Sequence, residues 1–180
     1  MIKNSYDKAL FGKMSGVKLD VGCGRNKQPG CIGIDRVAMP GVDIVQDLQE
    51  FPWSVPDNIC TMIVLSHVWE HIEPKYRSAL MDELWRVARW DGQLFISCPY
   101  ANSFLAMAHP EHYSCPNEMT MTFYSPDYPL YMTGAYGLVK PWKIVRNSPN
   151  MSGCIEIIME PYKNEKGEIC VPKAKNLATK

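Results

Sequence analysis

The stretch VKLDVGCG, residues 17–24, decides the fold that this sequence predicts. Its first five residues are rich in apolar and β-branched side chains, which is typical of a buried β-strand. Gly22 and Gly24 follow directly, and glycine adopts backbone conformations that a Cβ atom obstructs. We therefore expect a buried strand that runs into a tight loop, where the backbone can approach a ligand closely.

Further short apolar runs predict the remaining strands of a sheet. The run CIGID begins after only six intervening residues (25–30), so the crossover helix that usually joins parallel strands must be shortened to a turn or lost. The run TMIVL is continuously apolar, as in a strand covered on both faces. The last two runs look like an antiparallel pair. The predicted strands are 31–35, 42–45, 61–65, 93–99, 139–146 and 154–162.

One helix is clearly predicted, from Pro74 to about Arg89. Its apolar residues recur at steps of four, four and three, which places them in a single buried stripe: Tyr76, Leu80, Leu84 and Val87. Strands that alternate with helical connections indicate an α/β protein with a mostly parallel sheet and a hairpin-like edge.

Composition argues against several classes of protein. Nineteen basic and nineteen acidic residues cancel, so the total charge does not support a nucleic-acid partner, although a local basic patch would leave that total neutral. The seven cysteines include no C-x-x-C pair, which favours reduced thiols and a cytoplasmic location. No segment approaches the ~20 apolar residues of a membrane span, and no secretory signal is visible, so we expect no membrane partner.

Polar residues follow four successive predicted strands. Asp20 precedes the glycine loop, Asp35 ends the second strand, Asp47 lies just past the third, and Ser66 and His67 close the fourth. Ligands of an open parallel sheet bind beyond the carboxyl ends of its strands, so these residues should converge on one crevice. An acid at the end of the second strand can accept hydrogen bonds from both hydroxyls of a ribose.

The order LDVGCG, GIDR, DIVQDL, SHVWEHI and RVARWDGQLFISCP resembles the class I S-adenosylmethionine-dependent methyltransferases over roughly residues 17–100. It is most similar to the branch with a shortened connection after the glycine loop. The resemblance implies a Rossmann-like, mostly parallel twisted sheet with helices on both faces and an antiparallel C-terminal edge.

This fold predicts one domain over residues 1–162, followed by a mobile tail over residues 163–180. Within the domain we expect a cofactor-binding core at about 15–100, a substrate-side insert at about 101–135 and a strand pair at about 138–162.

The resemblance also implies a cofactor, S-adenosyl-L-methionine, and a product, S-adenosyl-L-homocysteine. The glycine loop matches the motif around the amino-acid end of this cofactor, and the acid of the second strand matches the group that holds the ribose. Residues 47–48 match the group that recognises the adenine edge, and the exit of the fourth strand faces the substrate. The predicted cofactor-binding residues are Asp20, Gly22, Cys23, Gly24, Asp35, Arg36, Asp47, Leu48, Ser66 and His67.

The predicted activity is methyl transfer to an unidentified acceptor, with a small molecule or a sugar favoured. An acceptor that carries a proton needs a base nearby, and imidazole titrates near neutrality. His67 is the first candidate, followed by His112 and His71. The segment PEHY, residues 110–113, resembles a D-P-x-H-like stretch that lies over the substrate pocket in related methyltransferases.

Two alternatives stay open. A non-catalytic S-adenosylmethionine-binding module or partner subunit would keep the pocket without the chemistry. The residues His67, Glu70 and His71 also have the H-x-x-E-H spacing of an inverted zinc-protease site, which would indicate a zinc hydrolase. Because His67 directly follows an apolar strand, a strand-to-helix elbow fits better than a helix interior, and we predict no metal site.

Overall fold

The computed structural model describes residues 8–171, except residues 13, 15, 130 and 132–138. The strands are β1 (Val17–Val21), β2 (Ile32–Asp35), β3 (Ile44–Val45), β4 (Cys60–Ser66), β5 (Ala88–Pro99), β6 (Trp142–Pro149) and β7 (Cys154–Pro161). The α-helices are α1 (Lys8–Phe11), α2 (Arg77–Val87) and α3 (Phe104–Ala108). Short 3₁₀ helices span Trp69–His71, Pro74–Tyr76 and Thr120–Tyr124.

The seven strands form one sheet in the order β3-β2-β1-β4-β5-β7-β6. The strands from β3 to β5 pair in parallel, whereas β7 is antiparallel to both β5 and β6. This confirms the predicted mostly parallel sheet with an antiparallel C-terminal edge. The order of the chain reverses between β1 and β4, and ligands of such sheets bind at this reversal, beyond the carboxyl ends of the strands.

The connection between β1 and β2 contains no helix in the described structure, as the short spacing predicts. The N–H groups of Gly22 and Cys23 both donate to the carbonyl of Ile34, at 2.8 and 3.3 Å, so the loop folds back directly onto β2. A Cβ atom at Gly33 would lie 2.6 Å from Cys23 Sγ and 2.6 Å from Lys27 Cδ. Glycine at this position therefore lets the loop pack closely against the strand.

Helix α2 confirms the predicted apolar stripe, since Leu80, Leu84 and Val87 are fully buried in the core. The helix ends at Val87 because Ala88 has an extended backbone, with φ of −59° and ψ of 138°. Residues 88–92 therefore belong to β5, which starts five residues before the predicted strand 93–99.

The two faces of the central strands differ in burial. On one face, Ile63 and Leu65 of β4 and Leu94 of β5 are fully buried in the same core cluster as α2. On the other face, Met62 and Phe95 are partly exposed and line a cavity of about 340 Å³. Among the described residues, the cover over β4 is complete on one face only, which differs from the expected strand covered on both faces.

The C-terminal segment contacts the domain at Lys163, the first residue of the predicted tail. Lys163 is buried, and its Nζ donates to the carbonyl of Trp85 at 2.6 Å, at the end of α2. Lys163 also pairs with Ile169 in an isolated antiparallel bridge, and Nδ2 of Asn58 donates to the carbonyl of Glu165 at 3.1 Å. Residues 172–180 and part of the predicted insert, at 130 and 132–135, lie outside the described residues. Among the helices that the structure describes, none is long and apolar enough to cross a membrane.

Candidate functional site

A cavity of about 680 Å³ lies beyond the carboxyl ends of β1 to β4. Its volume is within the range of roughly 300–1,000 Å³ that is usual for sites of small ligands and cofactors. Four loops that follow the strands contribute to its wall, together with a segment of the insert. The wall residues are Gly22, Asp35, Arg36, Asp47, Leu48, Gln49, His67, Val68, His71, Ile72, His109, Pro110, Glu111, His112 and Tyr113.

The glycine loop has the left-handed backbone that its sequence predicts. The φ angles of Gly22 and Gly24 are 70° and 51°, values that side-chain-bearing residues rarely adopt. A Cβ atom at Gly22 would lie 2.4 Å from Cγ2 of Val68, so the loop and the exit of β4 pack too closely for any larger residue. The glycine thus brings the loop after β1 against the loop after β4.

Asp35 holds the glycine loop from the end of β2. Its Oδ2 accepts the N–H of Gly24 at 2.9 Å, and its Oδ1 accepts the N–H of Val37 at 3.0 Å. A carboxylate has about four acceptor positions on its two oxygens, so each oxygen of Asp35 keeps one for a ligand. Asp35 lines the cavity, as predicted.

Asp20 does not line the cavity. Its side chain is buried, with 4% of the residue exposed, and Oδ2 accepts the N–H of Gln28 at 2.7 Å. Burial raises the pKa of Asp20, against the opposing effects of this hydrogen bond and of the Lys27 charge. Asp20 therefore supports the loop from behind, so its predicted direct contact with a ligand is not seen in the cavity wall.

Three other predicted residues also lie off the wall. The thiol of Cys23 is buried against β2, and this burial raises its pKa to about 11. Gly24 uses its N–H to bond Asp35. Ser66 lines the smaller cavity on the open face of the sheet, because its side chain points with Met62 rather than toward the main cavity.

The loop after β3 lines the cavity and is held by several hydrogen bonds. Oδ1 of Asp47 accepts the N–H of Gln49 at 2.8 Å, and the carbonyl of Leu48 accepts the indole N–H of Trp53 at 3.3 Å. Gln49, which the sequence interpretation missed, also lines the wall and accepts the N–H of Glu73 at 3.0 Å. No recognisable spacing marks Gln49 in the sequence.

His67 occupies the predicted elbow after β4. It has a left-handed backbone with φ of 56°, and its N–H donates to the carbonyl of Ser97 at 2.7 Å. Histidine is among the few residues that are enriched in this conformation. Its Nδ1 lies 3.3 Å from Oε1 of Glu70, whose fully buried carboxylate has no hydrogen-bond donor among the described residues. The side chain of His67 is 54% exposed and lines the cavity.

The other three histidines come together on the wall. The ring centroids of His71 and His112 are 5.0 Å apart, and those of His109 and His112 are 5.1 Å apart. The described residues place these three, without His67, in one group of potential metal ligands. The H-x-x-E-H spacing therefore does not bring His67 and His71 into a shared metal group, contrary to the zinc-hydrolase alternative.

The cavity joins most of the predicted site residues and adds some that the sequence did not mark. It includes both His67 and the other two candidate bases, His112 and His71. The additional wall residues come mainly from the insert, where the segment PEHY was the only signal. They are Gln49, Val68, Ile72, His109, Pro110, Glu111 and Tyr113.

Several solved structures with a similar fold are methyltransferases. A SAM-dependent methyltransferase from Archaeoglobus fulgidus matches with a TM-score of 0.56 and 17% identity, over 84% of this chain and 89% of that one. A putative type 11 methyltransferase from Sulfolobus solfataricus matches with a TM-score of 0.55 and 15% identity, over 89% and 92% of the two chains. The N-methyltransferase NodS from Bradyrhizobium japonicum WM9, in complex with S-adenosyl-L-homocysteine, matches with a TM-score of 0.55 and 13% identity, over 87% and 83%.

These likenesses show that the chain has the fold of the class I SAM-dependent methyltransferases. No protein-family model and no curated protein sequence matches the chain.

Proposed function

We propose that the protein is an S-adenosyl-L-methionine-dependent methyltransferase that acts on a small-molecule acceptor. The observation that carries the proposal is the placement of the glycine loop, Asp35 and residues 47–48 around one cavity, at the strand reversal of a methyltransferase fold. Each of these groups comes from a different strand end, and a nucleoside with an amino-acid tail has a separate part for each of them.

The residues of the cavity fit this cofactor. The two free acceptor positions of Asp35 suit the two hydroxyls of a ribose, which donate hydrogen bonds. The left-handed Gly22 suits the amino-acid end, because no side chain obstructs the backbone there. Asp47 and the backbone of Leu48 suit the adenine edge. The complex of NodS with S-adenosyl-L-homocysteine supports the choice of ligand for this fold.

When bound, the cofactor supplies an activated methyl group on a sulfonium, so the difficult chemistry is its own. The protein has to hold the acceptor in line with that methyl group and exclude water. Such positioning supplies roughly 7–11 kcal/mol of barrier reduction in well-oriented reactions. Residues 109–113 of the insert cover the cavity on the side of His67, where they would confine an acceptor.

His67 is the residue we assign as general base. Its Nδ1 faces the buried carboxylate of Glu70 at 3.3 Å, which leaves Nε2 as the nitrogen that takes a proton from the acceptor. The carboxylate orients the imidazole and stabilises the cation that forms, as acidic partners of catalytic histidines do. Glu70 is therefore a positioning residue for His67.

A small molecule fits this site better than a polynucleotide. The chain has no net charge, with nineteen basic and nineteen acidic residues, so it offers no general attraction for a phosphate backbone. The cavity is a pocket walled by the insert rather than a long basic groove.

The proposal is tested by calorimetry with S-adenosyl-L-homocysteine, followed by an assay for methyl transfer across a broad panel of small acceptors. Binding and turnover together are the expected result. Binding without turnover on any acceptor would indicate the non-catalytic module instead, and the absence of binding would contradict both.

A further inference from the structure

The imidazoles of His71, His109 and His112 have nearly the spacing of a metal site. The ring centroids of His71 and His109 are 5.4 Å apart, and one ring nitrogen of each histidine lies within 4.8 Å of the others. In a tetrahedral zinc site the ligand nitrogens are about 3.3 Å apart, because zinc–nitrogen bonds are roughly 2.0–2.1 Å long. The nitrogens therefore have to approach one another by no more than about 1.5 Å to hold an ion.

The hydrogen bonds of two of these rings show which nitrogen of each neutral imidazole carries the lone pair. Nδ1 of His112 lies 3.1 Å from the carbonyl oxygen of Ala106, and because a carbonyl only accepts, Nδ1 carries the proton and Nε2 keeps its lone pair. Backbone carbonyls fix histidine ligands of metal sites in the same way. Nδ1 of His109 accepts the N–H of Glu111 at 3.2 Å, so its lone pair is engaged, and His109 has to give up this hydrogen bond to bind an ion.

A backbone contact fixes the insert beside His71. The N–H of Tyr113 donates to the carbonyl of Glu70 at 2.9 Å, next to His71 in the 3₁₀ helix. The N–H of His112 donates to the carbonyl of His109 at 3.3 Å. This turn places the rings of His109 and His112 on the same side of the segment, where they stack. The cluster thus joins two segments that are far apart in the chain.

The donors select the class of metal. The cluster contains imidazoles alone, and no carboxylate of the described residues joins it. Imidazole suits zinc and its transition-metal neighbours, whereas magnesium and calcium prefer carboxylate and carbonyl oxygens. We propose that His71, His109 and His112 bind a zinc-class divalent ion, with a further coordination position open to the cavity. This departs from the prediction of no metal site that the sequence supported.

The location of the three histidines explains why one coordination position of the ion stays open. All three histidines line the same cavity as Gly22 and Asp35. Zinc sites with three protein ligands keep a fourth position for water or substrate, and such sites are catalytic rather than structural. The fourth ligand would therefore come from the cavity.

The use of this ion rests on the proposed function. A hydroxyl or thiol acceptor that binds the open position loses its proton to His67 more readily, because a bound cation lowers the pKa of its ligand. A lone pair of the resulting anion forms a bond to the methyl carbon, while the carbon–sulfur bond of the cofactor breaks and leaves its electron pair on sulfur. The acceptor class is then an oxygen or sulfur nucleophile.

The site is tested on tag-free, full-length protein that has been stripped with a chelator. Zn²⁺ is titrated by calorimetry and Co²⁺ by visible absorption, both without cofactor. We expect one ion per chain and the visible bands of four-coordinate Co²⁺, without the charge-transfer band that a thiolate ligand produces. His109→Ala and His112→Ala should each lower the affinity at least about tenfold, since even outer-shell changes have effects of this size.

His67→Ala is the matched control. The chain has four histidines, and His67 lines the cavity but lies outside the cluster, so this variant should bind Zn²⁺ as the wild-type protein does. Urea unfolding of every variant checks folding, and His112→Gln replaces His112→Ala if the alanine variant does not fold.

Three results would overturn the inference: no Zn²⁺ binding by the wild-type protein, unchanged affinity in both cluster variants, or a thiolate band that is lost in Cys115→Ser. Cys115 is the thiol to test because its Sγ lies 3.9 Å from Nδ1 of His112. Binding of S-adenosyl-L-homocysteine without binding of metal would end this inference and leave the proposed function intact. Binding of metal without binding of S-adenosyl-L-homocysteine would contradict the proposed function and leave the metal site intact.

Discussion

Nδ1 of His67 lies 3.3 Å from Oε1 of Glu70, and this contact joins an exposed imidazole to a fully buried carboxylate. The left-handed backbone of His67 directs the side chain back toward the 3₁₀ helix Trp69–His71, which contains Glu70. A buried carboxylate is costly unless a partner compensates its charge. We infer that Glu70 positions the imidazole of His67, which lines the cavity.

His67→Ala should leave the affinity for S-adenosyl-L-homocysteine nearly unchanged, while turnover on an acceptor found in the panel falls by about 10²–10⁴, the usual contribution of a general base. The reason is that we assign His67 to the acceptor rather than to the nucleoside. Calorimetry and steady-state kinetics measure the two effects separately. Equal losses of binding and turnover would mean that His67 is structural.

Glu70→Gln keeps the size of the side chain and removes its charge. We expect turnover to fall by about tenfold or more with unchanged cofactor affinity, because the imidazolium formed in the reaction loses its stabilising partner. The double variant with His67→Ala should be no slower than His67→Ala alone. Additive losses would show that Glu70 acts independently of His67.

Asp35→Ala should weaken the binding of S-adenosyl-L-homocysteine by about 1.5–3 kcal/mol, which is roughly tenfold to a hundredfold in affinity. Asp35→Asn should have a smaller effect, since the amide oxygen can still accept the N–H of Gly24. Asp91→Asn, at a surface ion pair with Arg89, serves as the control acid-to-amide change. An unchanged dissociation constant in Asp35→Ala would refute the ribose assignment.

Gly22→Ala should destabilise the protein by about 1–3 kcal/mol, because it adds a Cβ atom in a left-handed backbone. That atom would also lie 2.4 Å from Cγ2 of Val68. Gly30→Ala is the matched control, since Gly30 has φ of 75° but no described atom within 4 Å of its added Cβ. Urea unfolding should therefore show the larger loss for Gly22→Ala. Equal losses would mean that the contact with Val68 relaxes freely.

Lys163 predicts a pH dependence of stability. Burial lowers the pKa of its ammonium from the ordinary value of 10.5 to about 8. Between these two values the unfolded chain binds more protons than the folded one, so the contribution of Lys163 to the free energy of unfolding rises as pH increases through this window. The rise is at most about 3 kcal/mol.

The comparison variant is Lys163→Met, which keeps a long side chain against Trp85 and removes the titrating group. Urea unfolding between pH 7 and pH 10 should show a smaller upward slope for this variant than for the wild-type protein. Parallel slopes would indicate that the ammonium is hydrated in the folded state.

The strands and the main helix could be predicted from the sequence because their signals are local. VKLDV gives a strand over the predicted residues, and the apolar stripe of α2 shows a helical period. The cavity was also predictable in outline, since Asp35 and Asp47 follow directly on their strands and a parallel sheet gathers strand ends at one edge. The direction in which a side chain points was not predictable. Asp20 precedes the glycines as the motif requires, but its side chain points into the protein and supports the loop.

By itself, therefore, the sequence determined the succession of strands along the chain, the glycine loop and the set of residues at the strand ends. Each of these depends on residues that are close together in the chain. Only the tertiary structure decided that His71 meets His109 and His112, that His67 pairs with Glu70 instead, and that Lys163 is buried under α2. The histidine cluster and the burial of Lys163 depend on how distant segments pack, and the pairing of His67 depends on one left-handed backbone angle. No periodicity or spacing in the sequence encodes the first two, whereas the H-x-x-E-H spacing already placed His67 and Glu70 three residues apart.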